Sequence, residues 1–294
     1  MYYKGDLIGR ALNRAKREMF RLPGFRVVRG FEYGQALEQH LTRLPPLDAR
    51  ELPVLHELRK RGATLVDIQS MGLPETPAFF AALDKLVPEL KAVQPGNGDN
   101  SPRLTPKRMM EFPEIYLWGL NERVLALVEN YIGLPIRYHG IDVRREIADG
   151  KPNDVRQFHI DTEDHRMFRW IIYLNDVGLG EGPFQYIERE DTIGAVKKLH
   201  YGSGFVSDSR METVLPRPTW HEATASARWG ACADTCRIFH KAQAPVTKDR
   251  YSITLTWTST TPIKSYPSTP YSDAAYAYLK SRINQRQLEA LPAQ

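Results

Sequence analysis

The chain has 294 residues, enough for one large domain or two small ones with a sizeable core. It is 42% hydrophobic and 26% charged, with a net charge of +5 and two cysteines, Cys232 and Cys236. That balance excludes a disordered chain and a disulfide scaffold, and it favours a reducing, cytoplasmic setting.

The start, residues 1–21, has no apolar core of the kind a secretory signal needs. It carries Lys4, Arg10, Arg14, Lys16, Arg17 and Arg21, with Ile8, Leu12 and Met19 at helical spacing. This reads as a basic amphipathic helix that packs on the domain. A peripheral contact with an anionic inner membrane surface is the second reading. Nothing interleaves basic residues with stacking aromatics, so a nucleic-acid partner is not expected.

The first third then reads helical. Leu47–Arg61 repeats Leu52, Leu55 and Leu58, with Gly62 as its stop. A second helix is expected over Thr76–Val93, with Pro88 as a possible kink. Residues 95–102 form a Gly/Asn/Pro loop, and a third helix is expected over Pro113–Tyr131, ending before Gly133. From about Leu134 to Thr261 the pattern changes to short runs rich in β-branched and aromatic residues, broken by Gly, Pro, Asp and Asn. This predicts an antiparallel sandwich or jelly roll. Residues 272–291 return to helix. The expected organisation is a single domain of the α+β class: a helix-rich part (1–132), a β core (133–262) and a helical tail (263–294).

Chemistry enters at Gln157-Phe158-His159-Ile160-Asp161-Thr162. In a strand, residues two apart share a face, so His159 and Asp161 point together, about 7 Å apart along the backbone. An imidazole and a carboxylate suit a divalent metal. His240, at the end of the strand-like run Thr235–His240, supplies a third ligand. Two histidines and one carboxylate on one octahedral face form the triad of non-haem Fe(II) oxygenases, which leaves three positions open. After a loop, Arg250, Ser252, Thr254 and Thr256 occupy one face of an alternating strand. The Arg250 guanidinium suits a carboxylate, so a dicarboxylate such as 2-oxoglutarate fits between metal and Arg250, with the Ser252 hydroxyl beside it. Gln157 shares the His159 face and is a candidate contact for cosubstrate or substrate. His165 reads as a loop residue. Glu163 and Asp164 read as solvated or paired with Arg166, and His139 and His221 as structural histidines. Tyr173 and Trp257 read as core; Arg144, Arg145, Arg169, Lys197 and Lys198 offer positive charge to an anionic substrate but read as mostly surface charges. Cys232 and Cys236 read as two buried thiols.

These motifs, in the order H-x-D, Gly182-Pro183-Phe184, distal His240, Arg250 ten residues on and R-x-S, resemble the phytanoyl-CoA dioxygenase family of Fe(II)/2-oxoglutarate-dependent oxygenases. The resemblance covers Phe158–Ile187 and Asp234–Trp257. It implies a double-stranded β-helix, iron on His159, Asp161 and His240, and 2-oxoglutarate held at its far carboxylate by Arg250 and Ser252. It also implies O2 as oxidant and hydroxylation of an unactivated carbon. The family's glycine-serine-histidine turn is replaced here by YIERED, so the substrate class is not inherited. Relatives that halogenate lack the ligand carboxylate; Asp161 is present, which favours hydroxylation or desaturation. The residues alone leave two rivals open, a cupin-type metal-dependent hydrolase or isomerase and a non-catalytic binding protein on the same fold.

Overall fold

The structure, a computed structural model, describes residues 23–96, 98–264 and 272–292. The basic segment 1–21 lies outside the described residues. The chain divides into two compact units, Met1–Leu44 and Pro45–Gln294. The first contains helix α1 (Pro23–Leu41).

The second unit is a jelly roll of the double-stranded β-helix type, built from two antiparallel sheets with helices packed outside. The major sheet runs β1 (Ala63–Asp67), β6 (Trp229–Ala233), β3 (Phe168–Tyr173), β8 (Arg250–Ser259), β2 (Ile136–Glu146). The minor sheet runs β5 (Trp220–Ala223), β4 (Phe184–Ile187), β7 (His240–Ala242). Tyr173 joins the two sheets: its hydroxyl accepts from Phe184 N (3.0 Å) and donates to the Ala223 carbonyl (2.8 Å).

Both faces of the major sheet are covered, which explains its near-continuous burial. The outer face presents Phe168, Trp170, Leu255 and Trp257, all fully buried. Helices α3 (Thr76–Ala92) and α5 (Pro113–Gly119) pack there through Phe79, which stacks on Trp118 at 4.7 Å, while Trp118 meets Trp170 edge-on at 5.1 Å. These geometries are the ones aromatic quadrupoles favour. The outer face of the minor sheet packs Ile187, Trp220 and Phe239 under α7 (Arg189–Lys198) and α8 (Asp208–Glu212). The inner faces enclose the site.

Several local features differ from the expected ones. Helix α2 (Glu51–Arg61) buries Glu51, Val54, Leu55 and Leu58, while Leu52 is exposed. The buried stripe starts at a charged residue, because Glu51 pairs with Arg123 at 2.5 Å. Gly62 stops the helix with φ +88°, and an added Cβ there would lie 2.3 Å from Ile238 Cγ2. β1 follows directly, a strand inside the segment expected to be helical, paired with β6 from Ala63↔Ala233 to Asp67↔Trp229. The helix expected over 113–131 is two, α5 and α6 (Glu122–Ile132), divided because Asn121 turns extended and its side chain caps Arg123 N at 2.9 Å. The run Thr235–Ile238 is a turn, so His240 opens a strand instead of ending one.

Candidate metal centre

The H-x-D segment is extended but is not a regular strand. Phe158 bridges to Val206 alone and His159 to His240 alone. His159 and His240 exchange both backbone hydrogen bonds at 3.0 Å, and Asp161 N donates to the Thr235 carbonyl at 2.9 Å. The distal histidine is therefore stitched to the H-x-D segment by main chain, before any side chain is considered. The two-residue alternation survives: His159 and Asp161 share a side.

Among the described residues, His159, Asp161 and His240 form a group whose ligand atoms all lie within 4.8 Å of one another. His159 Nε2 is 3.7 Å from Asp161 Oδ1, and His240 Nε2 is 3.9 Å from Asp161 Oδ2. Each Nδ1 sits on a backbone carbonyl two residues back, His159 on Gln157 (2.9 Å) and His240 on Ile238 (3.2 Å). A carbonyl only accepts, so Nδ1 carries the proton and the Nε2 lone pairs converge on Asp161. Asp161 Oδ2 is buried and accepts no hydrogen bond. Two imidazole lone pairs and a buried carboxylate, ion-paired with Arg169 but with no hydrogen bond of sound geometry at Oδ2, fit a divalent ion.

The charge states agree. Burial opposes ionisation of Asp161, but Arg169, His240 and His159 outweigh it and hold the carboxyl at about 2. Burial, aided by His159, pushes His240 down to about 3, so it is neutral at physiological pH. Arg169 is no plain surface charge: its Nη2 lies 3.0 Å from Asp161 Oδ2. The clue in the sequence is that Arg169 alternates with Phe168 and Trp170 and so shares the inward face with Tyr173. Beside the ligands, Phe205 sets its ring 5.4 Å from His159, and Tyr201 donates to Gly204 O (2.7 Å) and accepts from Ile160 N (3.2 Å).

Deeper on the same inner face lie Arg250 (3% exposed) and Ser252 (1%). Arg250 faces Glu146 in register, and Ser252 lies between Arg144 and Tyr173. Arg250 Nη1 donates to the Gly182 carbonyl, and its buried Nε has no partner. Gly182 has φ +67°, and a Cβ would stand 2.3 Å from the Gln243 carbonyl, so this corner of the G-P-F motif requires glycine. Glu146 is fully buried. Burial opposes its charge, but Arg250, Arg144, a Ser101 hydroxyl at 2.7 Å and Arg156 keep it ionised.

Other candidates have different duties. Gln157 contributes its backbone carbonyl to His159. His165 and His139 stand outside the metal group; His139 bonds Thr258 Oγ1 at 2.7 Å, and His221 pairs with Glu188 at 3.2 Å. Asp164 is not solvated: it is buried and accepts from Ser259 N (2.7 Å) and His165 N (2.7 Å), while Arg166 donates to the Tyr131 carbonyl. Cys232 and Cys236 are free thiols, the first buried and the second half-buried. No helix among the described residues is long and apolar enough to cross a membrane.

No family profile matches the chain, and no curated protein matches it in sequence. Solved structures are similar to it. HygX from Streptomyces hygroscopicus, with nickel and 2-oxoglutarate bound, has a TM-score of 0.50 at 14% identity, covering 74% of this chain and 88% of HygX. The epimerase SnoN, with Fe3+, alpha ketoglutarate and nogalamycin RO, has a TM-score of 0.47 at 15% identity, covering 79% and 89%. The non-heme alpha ketoglutarate dependent carbocyclase SnoK from nogalamycin biosynthesis has 0.48 at 15%, covering 82% and 94%.

Proposed function

We propose that this protein is an Fe(II)- and 2-oxoglutarate-dependent oxygenase that hydroxylates an unactivated carbon of a small or carrier-linked substrate, with succinate and CO2 as co-products. The observation that carries the reading is the convergence of the His159 and His240 Nε2 atoms on Asp161, with Arg250 and Ser252 buried on the same enclosed face. Support comes from the fold shared with HygX, which binds nickel and 2-oxoglutarate. Within this class, the motif order resembles the phytanoyl-CoA dioxygenases.

The iron would supply two-electron activation of O2, coupled to decarboxylation of the keto acid. His159, Asp161 and His240 would hold it. The Nδ1–carbonyl bonds fix both rings, so no proton has to leave the Nε2 atoms for metal to bind. Arg250 and Ser252 would seat the far carboxylate of 2-oxoglutarate, using the unpartnered Nε of Arg250. Tyr173, strapped between the sheets, would hold one wall of that channel. Asp161 occupies the position a halide would need, which favours hydroxylation.

The test is cosubstrate dependence. The Fe(II)-loaded chain should release succinate only with both O2 and 2-oxoglutarate, and a substrate library should stimulate that release. Product formed without either would instead support a cupin-type hydrolase or isomerase. A cytoplasmic setting is a further part of this reading, with peripheral membrane contact through residues 1–21 as the second alternative to a helix that packs on the domain. Equal liposome pelleting of the full chain and of a chain lacking those residues would remove the membrane contact.

A further inference from the structure

The inner face of the major sheet can be read in rows, because register fixes which side chains lie abreast. One row holds Gly140, Thr256, Arg169 and Ala233; the next holds Asp142, Thr254 and Ile171; the next holds Arg144, Ser252 and Tyr173; the last holds Glu146 and Arg250. Arg103 joins the third row through a bridge to Arg144 on the free side of β2. Arg103 and Arg144 share one carboxylate. Arg103 Nε lies 3.2 Å from Asp142 Oδ2, and Arg144 Nη2 bonds the same oxygen. Their side chains keep 30% and 19% exposure, whereas Arg250 keeps 3% of its residue surface. The Nε of Arg144 is buried and has no partner. A reachable arginine pair therefore lies between the row of Arg169, which contacts Asp161, and the row of the deep Arg250.

We propose that Arg103 and Arg144 form the seat for an anionic group on the substrate, a carboxylate or a phosphate monoester. This rests on the oxygenase reading above and names the substrate class for the same site. Charge bookkeeping decides in its favour. Around the pair and the ligands, Arg103, Arg144 and Arg169 face Asp142 and Asp161, which leaves one positive charge over. The deeper group of Arg156, Arg250, Glu146 and Asp149 balances in formal charge, and Glu146 also lies 3.8 Å from Arg144, so together five arginines face four carboxylates. A divalent metal adds two positive charges, and dianionic 2-oxoglutarate removes them. One cation still lacks a counter-charge on a part-buried face that an anion can reach, since the Arg103 and Arg144 side chains keep 30% and 19% exposure. An anionic substrate group supplies that counter-charge, and an arginine pair bridged side by side, Arg144 on β2 and Arg103 on the segment beside it, fits the bidentate geometry of carboxylate and phosphate.

The alternative is that the pair only ties residues 100–104 to β2 through Asp142. The two roles predict opposite signs for one variant. The experiment loads the full chain with Ni(II) and 2-oxoglutarate, so that the deep arginine is filled. It then titrates inorganic phosphate, and separately acetate, by calorimetry. Phosphate or acetate should bind the wild type and bind about tenfold more weakly to Arg103→Gln and Arg144→Gln; Arg144→Lys should fall between. Asp142→Asn releases both arginines and should bind the same anion several-fold more tightly. A purely structural tie predicts no gain in that variant. Where Arg144→Gln does not fold, Arg103→Gln and Asp142→Asn still decide. The stronger of the phosphate and acetate arms identifies the anionic group. Equal affinity across wild type, Arg103→Gln and Asp142→Asn, or no binding of either anion to wild type, overturns the proposal. Failure of Ni(II) and 2-oxoglutarate to bind together would count against the oxygenase reading instead. The anion titration on the metal-free chain would still report on the arginine pair.

Discussion

Asp234 is the residue whose removal should cost the second unit most for its size. It is fully buried and accepts from the Tyr131 hydroxyl (2.5 Å), Met167 N (3.1 Å) and Cys236 N (3.2 Å), while its own N–H donates to the Gly62 carbonyl (2.8 Å). It thereby ties α6, the start of β3, the α2–β1 corner and the turn that presents both Asp161 and His240. In Asp234→Ala three buried donors lose their acceptor at about 1–3 kcal/mol each; allowing for relaxation, a loss of about 3–6 kcal/mol is expected. The carboxylate also carries a penalty. Burial raises its pKa from 3.8 to about 6, against the opposing hydrogen bonds from Tyr131 and Met167. The folded state therefore holds the proton more tightly than the unfolded one. That contribution is fully present below about 3.8 and is lost as pH rises through about 6, by about 3 kcal/mol at 1.36 kcal/mol per pKa unit. Asp234→Asn keeps an acceptor oxygen and cannot ionise, so it should flatten this segment of the stability profile. Urea unfolding at pH 4, 5, 6 and 7 checks both points. A loss below about 1 kcal/mol in Asp234→Ala, or the same fall with pH in Asp234→Asn, would contradict this role for the carboxylate.

Gly62→Ala should destabilise the chain by about 1–3 kcal/mol, since φ is +88° and the new methyl meets Ile238 at 2.3 Å; thermal unfolding within 1 °C of wild type would contradict it. Asn121→Ala removes the α6 cap and should cost about 1 kcal/mol in urea unfolding, with little change in any site readout. Glu146→Gln withdraws the charge facing Arg250. It should tighten 2-oxoglutarate binding to the Ni(II)-loaded chain several-fold and lower stability by about 2–5 kcal/mol, through the uncompensated Arg156 and Arg144. Unchanged 2-oxoglutarate affinity, read by tryptophan quenching, would count against Arg250 as its carboxylate seat.

The cluster of His159, Asp161 and His240 could be expected from the sequence because its signal is local in sequence terms: a two-residue alternation in F-H-I-D and a distal histidine, followed by an arginine with serine two residues on. The jelly roll was legible from strand-rich runs. What stayed hidden depends on long-range pairing. β1 lies among helices in sequence and becomes a strand only because β6 offers an edge to it. Glu51 lies in the core because Arg123, 72 residues on, neutralises it there. Arg169 and Asp164 read as surface groups, and only the fold brings Asp161 and Ser259 to them. Thr235–Ile238 carries β propensity, yet Asp234 binds its backbone and bends it into the turn that aims His240. Local chemistry therefore marked the candidate ligands, while buried ion pairs and caps between distant segments set how they are held.

The most direct measurement is an anaerobic titration of the full chain with Fe(II) and 2-oxoglutarate, followed in the visible range. Chelation of the keto acid on the open face of a metal held by His159, Asp161 and His240 predicts a weak charge-transfer band that needs both additions and vanishes in Asp161→Ala and His240→Ala. No band in the wild type, or an undiminished band in Asp161→Ala, would contradict the assignment.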